Sequence, residues 1–182
     1  MSAGSVVLIG GGARSGKSRF ALARARSLGE RRVFVATAQA FDGEMDDRIA
    51  LHRAERGADF TTVEEPLELA GALRAQDDAD VVLVDCLTLW LSNRLLRGDD
   101  EPALARAVDE LCVVLAERRC HAVLVTNEVG FGIVPDNALA RTFRDVAGRA
   151  HQSLARIADE IHVAILGSVL RLRPGPVEAV VP

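Results

Sequence analysis

Gly11-Gly12-Ala13-Arg14-Ser15-Gly16-Lys17-Ser18 is the stretch that decides the fold. An apolar, strand-like run, Ser5–Ile9, precedes it, and Lys17–Leu28 follows with helical period, closed by Gly29. The pattern G-x-x-x-x-G-K-[ST] between a strand and a helix is a phosphate-binding loop. Backbone N–H groups and the helix N-terminus point at phosphate oxygens, the lysine reaches further phosphate oxygens, and the hydroxyl of Ser18 is placed for Mg²⁺. Lys17 is the only lysine in the chain; every other Lys/Arg position is arginine. An ammonium is a compact point charge that fits between β- and γ-phosphate oxygens, where a planar guanidinium fork does not. Arg14, inside the loop, is a further candidate for phosphate or for a second ligand.

Outward from the loop, apolar runs alternate with helix-period segments. Strands are expected at Arg32–Ala36, Phe60–Val63, Val81–Val84, Ala122–Thr126, Ile161–Leu166 and Val169–Leu172. Helices are expected at Asp42–Glu55, Pro66–Ala75, Leu87–Leu96, Pro102–Glu117 and Asn137–Ala158, with a loose tail at 174–182. Such alternation predicts an α/β fold, a mostly parallel sheet with helices on both faces, in a single domain over residues 1–182. There is no internal repeat, low-complexity tract or linker.

Composition narrows the function. With 49% apolar and 26% charged residues the chain reads as an ordinary soluble globular protein. A net charge of −4 argues against broad nucleic-acid or anionic-membrane binding. The run Val81–Leu91 is interrupted by Asp85, so no segment approaches the ~20 apolar residues of a membrane span. Three cysteines, Cys86, Cys112 and Cys120, without C-x-x-C spacing predict reduced thiols and a cytoplasmic location.

Val81-Val82-Leu83-Val84-Asp85 is an apolar strand ending in a carboxylate, which in a phosphate-loop protein supports Mg²⁺. The competing role for Asp85 is to cap the helix after it. Segments 36–40 and 127–130 follow strands and point to the same carboxyl edge of the sheet, where open parallel sheets bind ligands; either is equally an ordinary turn. His121 and His162 read as structural. His151 sits on a helix locally rich in arginine (Arg141, Arg144, Arg149). That helix is either a solvated face paired with Asp145 and Asp159 or a cradle for an anionic substrate. Spacing alone says little for His52.

Several segments together resemble the bifunctional adenosylcobinamide kinase/adenosylcobinamide-phosphate guanylyltransferase family. They are Thr37-Ala38-Gln39-Ala40-Phe41-Asp42-Gly43-Glu44-Met45, Arg48-Ile49-x-x-His52-Arg53, Thr62-Val63-Glu64-Glu65-Pro66 and Asp85-Cys86-Leu87-Thr88-Leu89-Trp90. Asn127-Glu128-Val129-Gly130-x-Gly132-Ile133-Val134-Pro135 and Arg141-x-Phe143-Arg144-Asp145-x-x-Gly148 complete the set, which runs from about Val6 to Gly167. The resemblance implies a RecA-like fold and two activities in cobalamin assembly. Adenosylcobinamide is phosphorylated with ATP or GTP; GMP from GTP is then joined to that phosphate through a GMP-histidine intermediate, at His52 here. It further implies nucleotide contacts from the phosphate loop (Gly11, Gly12, Ala13, Arg14, Ser15, Gly16, Lys17, Ser18), Ala36, Thr37, Ala38, Arg53, Ala54, Glu55, Arg56, Glu64 and Asp85, and a homotrimeric assembly. Catalytic roles fall on His52, Lys17 and Asp85, with Mg²⁺ on Ser18 and Asp85; the partners expected are a small corrinoid and a nucleotide. Two positions depart from the family: Arg56-Gly57 where Arg-Pro is frequent, and His151-Gln152 where Asn-Gln is usual. The alternatives left by the residues are a phosphate-loop kinase without guanylyl transfer, and a GTP-gated regulatory module.

Overall fold

The computed structural model describes residues 4–39, 57–76 and 78–180. The helix expected at Asp42–Glu55, with His52 and Arg53–Arg56, lies outside the described residues. Eight strands form one sheet in the order β3-β2-β4-β5-β1-β6-β7-β8. The strands are β1 Val6–Gly11, β2 Arg32–Ala36, β3 Phe60–Glu64, β4 Val81–Asp85, β5 His121–Asn127, β6 Glu160–Ile165, β7 Ser168–Arg173 and β8 Glu178–Val180. Pairings from β3 through to β6 are parallel; β6–β7 and β7–β8 are antiparallel. The described helices are α1 Lys17–Leu28, α2 Leu69–Arg74, α3 Leu87–Arg97, α4 Glu101–Ala116 and α5 Ala138–Ile157.

The central strands are apolar without alternation because both of their faces are covered. Val6, Leu8, Val82, Val84, Ala122 and Leu124 pack against α2 to α5, with Trp90, Leu104, Leu111 and Leu154 fully buried among them. Val7, Ile9, Val81, Leu83, Val123 and Val125 face the other way, onto Phe20, Ala21, Leu22 and Ala25 of α1. Helices therefore lie on both faces, α1 being the one described helix on its side. Helix starts follow the sequence: Asn137 Oδ1 accepts from Ala140 N (2.7 Å) and Asp100 Oδ1 from Ala103 N (2.8 Å), caps worth about 1 kcal/mol each.

Three expectations are corrected. The helix expected at Pro66–Ala75 is only Leu69–Arg74, because Glu65 Oε1 accepts from both Leu67 N and Glu68 N (2.8 Å each) and closes a turn first. The tail is not loose throughout, since Glu178–Val180 adds an antiparallel strand to β7. Arginines of the long helix do not pair with Asp145 and Asp159 as the solvated-face reading supposed. Arg149 pairs with Glu101, Arg141 donates to the Pro135 and Asp136 carbonyls (2.9 and 2.7 Å), and Asp159 pairs with Arg118. Strand ends otherwise shift by a residue or two. β6 and β7 are joined through Leu166 (φ 53°) and Gly167 (φ 79°), both left-handed, as a two-residue hairpin requires.

Candidate nucleotide and phosphate site

The sheet register aligns the predicted residues at one edge. Ala36 pairs with Glu64 on one side and Asp85 on the other, and Asp85 pairs with Val125 of β5. Two residues further along, Gly11, Asn127 and Ala164 are level across β5, β1 and β6. The glycine loop, Ala36, Glu64, Asp85 and Asn127 thus share the carboxyl edge, with β5 between the loop strand and the Asp85 strand.

The loop is built to receive an anion. Gly16 is the N-cap of α1 in a left-handed conformation (φ 91°), with no side-chain cap and no acidic residue in the first turn. The orphan N–H groups at the helix start and its positive dipole end are left to a ligand. Gly11 has to be glycine: a Cβ there would lie 2.6 Å from the Ala164 carbonyl oxygen and 2.7 Å from Ser15 Oγ. Ser15 Oγ is buried without a hydrogen-bond partner, an orphan beside the anion cradle. Gly12, Ala13 and Arg14 form the exposed rim.

Lys17 is buried, its Nζ donating to the Gly12 carbonyl at 3.1 Å. Burial lowers its pKa, while the negative charge of Asp85 works in the opposite direction. A desolvated ammonium coupled to a strand-end carboxylate is the electrostatic half of a phosphate–cation site. Among the described residues no group of three or more His, Cys, Asp and Glu could hold a metal on its own. Magnesium in phosphate loops needs only a hydroxyl, a carboxylate and phosphate oxygens, so Ser18 and Asp85 fit it.

Thr37 plays an internal part. It is fully buried; its hydroxyl donates to the Cys86 carbonyl and accepts from Cys86 N–H (2.8 Å each), while its own N–H donates to the Asp85 carbonyl (3.2 Å). Asn93 Nδ2 donates to the Thr37 carbonyl at 2.8 Å. The two strand ends are thereby tied together beneath the site. Cys86 is the N-cap residue of α3 and makes no side-chain cap; burial pushes its thiol up to about 11, so it is an inert packing group. Sequence reasoning missed Asn93 and Thr88, whose hydroxyl accepts from Asn127 Nδ2 at 3.2 Å. Their signal was available: two polar residues on the buried stripe of an amphipathic helix.

The strand-end segment after β5 does join the edge. Glu128 N donates to the Gly11 carbonyl at 3.0 Å, and Glu128 Oε1 accepts from Gly130 N at 2.6 Å. Behind it the His151 Nε2 and Thr126 hydroxyl are hydrogen-bonded at 2.6 Å, and His151 Nδ1 lies 3.9 Å from Glu128 Oε2. Burial lowers the His151 pKa against the opposing pull of Glu128. The loop then runs out through exposed Phe131, Ile133 and Val134.

A glycine loop between strand and helix, a carboxylate-ended strand, and one strand between them define a phosphate-loop nucleotide-binding protein. The family described as cobinamide kinase / cobinamide phosphate guanyltransferase (CobU) matches residues 7–172, and this chain belongs to it. The bifunctional adenosylcobalamin biosynthesis protein CobP of Pseudomonas aeruginosa is 46% identical over 170 residues, covering 93% of this chain and 98% of its own. Proteins called CobU, with the same bifunctional description, are 43% identical in Salmonella typhimurium and 39% identical in Escherichia coli. Each match covers 92% of this chain and 99% of the relative. Among solved structures, a KaiC-like protein from Pyrococcus horikoshii aligns with TM-score 0.49 at 18% identity, over 98% of this chain and 77% of that one.

Proposed function

We propose that this chain phosphorylates adenosylcobinamide with a nucleoside triphosphate and then transfers GMP from GTP to adenosylcobinamide phosphate. Membership of the family over residues 7–172 carries the reading, and the anion-receptive loop around Lys17 supports it. The loop amides and Lys17 would hold the triphosphate in both reactions, turning an encounter between anions into a positioned displacement. Magnesium, held by Ser18 and Asp85, would offset charge on the β- and γ-phosphates. Ala36, Ala38 and Glu64, at the same edge, are the further nucleotide contacts we assign from family resemblance. So are Arg53, Ala54, Glu55 and Arg56, outside the described residues.

For guanylyl transfer we assign the nucleophile to His52. A neutral imidazole attacks the α-phosphorus of GTP, pyrophosphate leaves, and the cobinamide phosphate then displaces the imidazole from GMP. Two displacements replace one between two anions. No helix among the described residues is long and apolar enough to cross a membrane. We place the enzyme in the cytoplasm, as a homo-oligomer acting on a small corrinoid rather than nucleic acid.

The test is direct. The purified protein is incubated with adenosylcobinamide, GTP and Mg²⁺, and the corrinoid products are identified by mass. Both the phosphate and the GDP adduct are expected. GTP labelled at the α-phosphorus should leave an acid-labile label on the wild type and none on His52→Ala. Phosphate product alone, with no protein label, reduces the assignment to a kinase. GTP turnover indifferent to cobinamide favours a regulatory module.

A further inference from the structure

Carboxylates at the carboxyl edge of the sheet differ in what already holds them. Glu65 Oε1 is occupied by two backbone N–H groups. Glu64 ends β3, the outermost strand on its side of the sheet. Asp85 acts electrostatically on Lys17 and is the carboxylate to which we assign Mg²⁺, and a carboxylate so engaged would be a poor proton acceptor. Glu128 is arranged differently. It follows β5, the strand flanked by the phosphate-loop strand and the Asp85 strand. Its N–H is anchored to Gly11, the first residue of the loop. Oε1 is fixed by Gly130 N–H, whereas Oε2 has no hydrogen-bond donor among the described residues, the His151 Nδ1 being 3.9 Å away. The side chain is 34% exposed, so it is neither in the core nor free in solvent.

The neighbour behind it matters. His151 is half-buried and hydrogen-bonded to Thr126, and its partial burial disfavours the imidazolium. A neutral ring leaves the Glu128 carboxylate unneutralised. One oxygen is oriented and the other is open beside a phosphate loop, an arrangement suited to taking a proton from a hydroxyl that attacks the γ-phosphorus.

We propose that Glu128 is the base of the phosphorylation step, a role that rests on the activity reading above. Oε2 accepts the proton of the adenosylcobinamide hydroxyl as that oxygen bonds to the γ-phosphorus. The bond from γ-phosphorus to the β,γ-bridging oxygen breaks, and the nucleoside diphosphate leaves with that electron pair. The carboxylic acid so formed returns its proton to solvent through its exposed side. Guanylyl transfer needs no such group, because its acceptor is a phosphate already ionised near neutral pH.

The experiment separates the two reactions in one preparation. Wild type, Glu128→Gln and Glu128→Asp are assayed for phosphorylation of adenosylcobinamide. Separately they are assayed for GMP transfer to chemically supplied adenosylcobinamide phosphate. Glu128→Gln keeps an oxygen for Gly130 N–H, so the loop root persists. Its phosphorylation kcat should fall about 10²–10⁴-fold with KM little changed, while GMP transfer stays within about threefold. Glu128→Asp should recover part of the loss. Phosphorylation within about threefold of wild type in Glu128→Gln overturns the proposal. So does an equal fall in both reactions, which would make Glu128 a brace for the loop. Wild type that phosphorylates no cobinamide but transfers GMP, or does neither, overturns the kinase reading itself and the proposal with it.

Discussion

Two loops leave neighbouring strands at the same edge of the sheet, and they are built on opposite principles. The first joins β1 to α1 through residues 12–16; the second joins β5 to α5 through residues 128–137. The short loop is over-determined. A left-handed Gly16, a Gly11 with no room for a Cβ and a buried Lys17 tied to Gly12 restrain it from both ends. The long loop is held toward its ends, by Glu128 to Gly11 and Gly130, by Arg141 on the Pro135 and Asp136 carbonyls and by the Asn137 cap, and carries Phe131, Ile133 and Val134 outward. A phosphate group is small and has one charge pattern, so its receptor is rigid backbone. A larger acceptor, presented to varied surroundings, is compatible with a loop rooted firmly and open at its tip.

The comparison breaks most readily at Lys17. Lys17→Ala should cut both phosphoryl and guanylyl transfer by about 10³-fold or more, because we assign its charge to the triphosphate in both. Circular dichroism and thermal melting should stay close to wild type, and a variant with undiminished rates would remove the phosphate-loop assignment. Acylation of the wild-type Lys17 amine should be slowed by GTP with Mg²⁺.

Gly11→Ala tests rigidity without touching charge. Its Cβ would meet backbone and side chain within 2.7 Å, so a loop shift and a loss of nucleotide affinity of at least tenfold are expected by titration calorimetry. Thr37→Val asks whether the strand ends beneath the site need their tie. It strands the buried Cys86 N–H, while the Cys86 carbonyl keeps the Trp90 N–H, and should lower stability by about 1–3 kcal/mol in urea unfolding.

His151→Asn sharpens the other side. A histidine whose folded pKa lies below its ordinary value is neutral in the fold and takes up a proton more readily once unfolded. Its burial therefore costs nothing above the ordinary value of 6.5, and stability falls as pH drops below it. The Asn variant should flatten that acid-side decline in melting temperature between about pH 6.5 and 5, with Glu128 the charged group facing the ring in wild type. Unchanged acid sensitivity would place the loss elsewhere. The smallest effect is expected at the tip: Ile133→Ser, at a residue 97% exposed, should alter stability by no more than about 0.5 kcal/mol.

What the sequence made legible follows from which interactions are local. Strands β2 and β4 and helix α1 were readable because apolar period and glycine punctuation act within a few residues. The phosphate loop was readable for the same reason. The β8 pairing was not, because Glu178–Val180 is too short to signal a strand until β7 presents an edge. Helix α2 was overestimated because a side chain of Glu65 competes locally with helical hydrogen bonds. At the site, Lys17, Asp85 and the 127–130 turn were visible as motifs. The Thr37–Cys86–Asn93 tie was not, since it joins residues 49 and 56 positions apart through buried hydroxyl and amide groups.

The solitary lysine has one more consequence. An endoprotease that cuts only after lysine has a single target in the whole chain, the Lys17–Ser18 bond. That bond lies at the first turn of α1 with the lysine side chain buried, so it is cleavable only when the loop and helix start open. Native digestion should therefore yield two fragments at a rate set by that opening alone. Each added nucleotide would slow the clock by the factor with which it holds the loop shut.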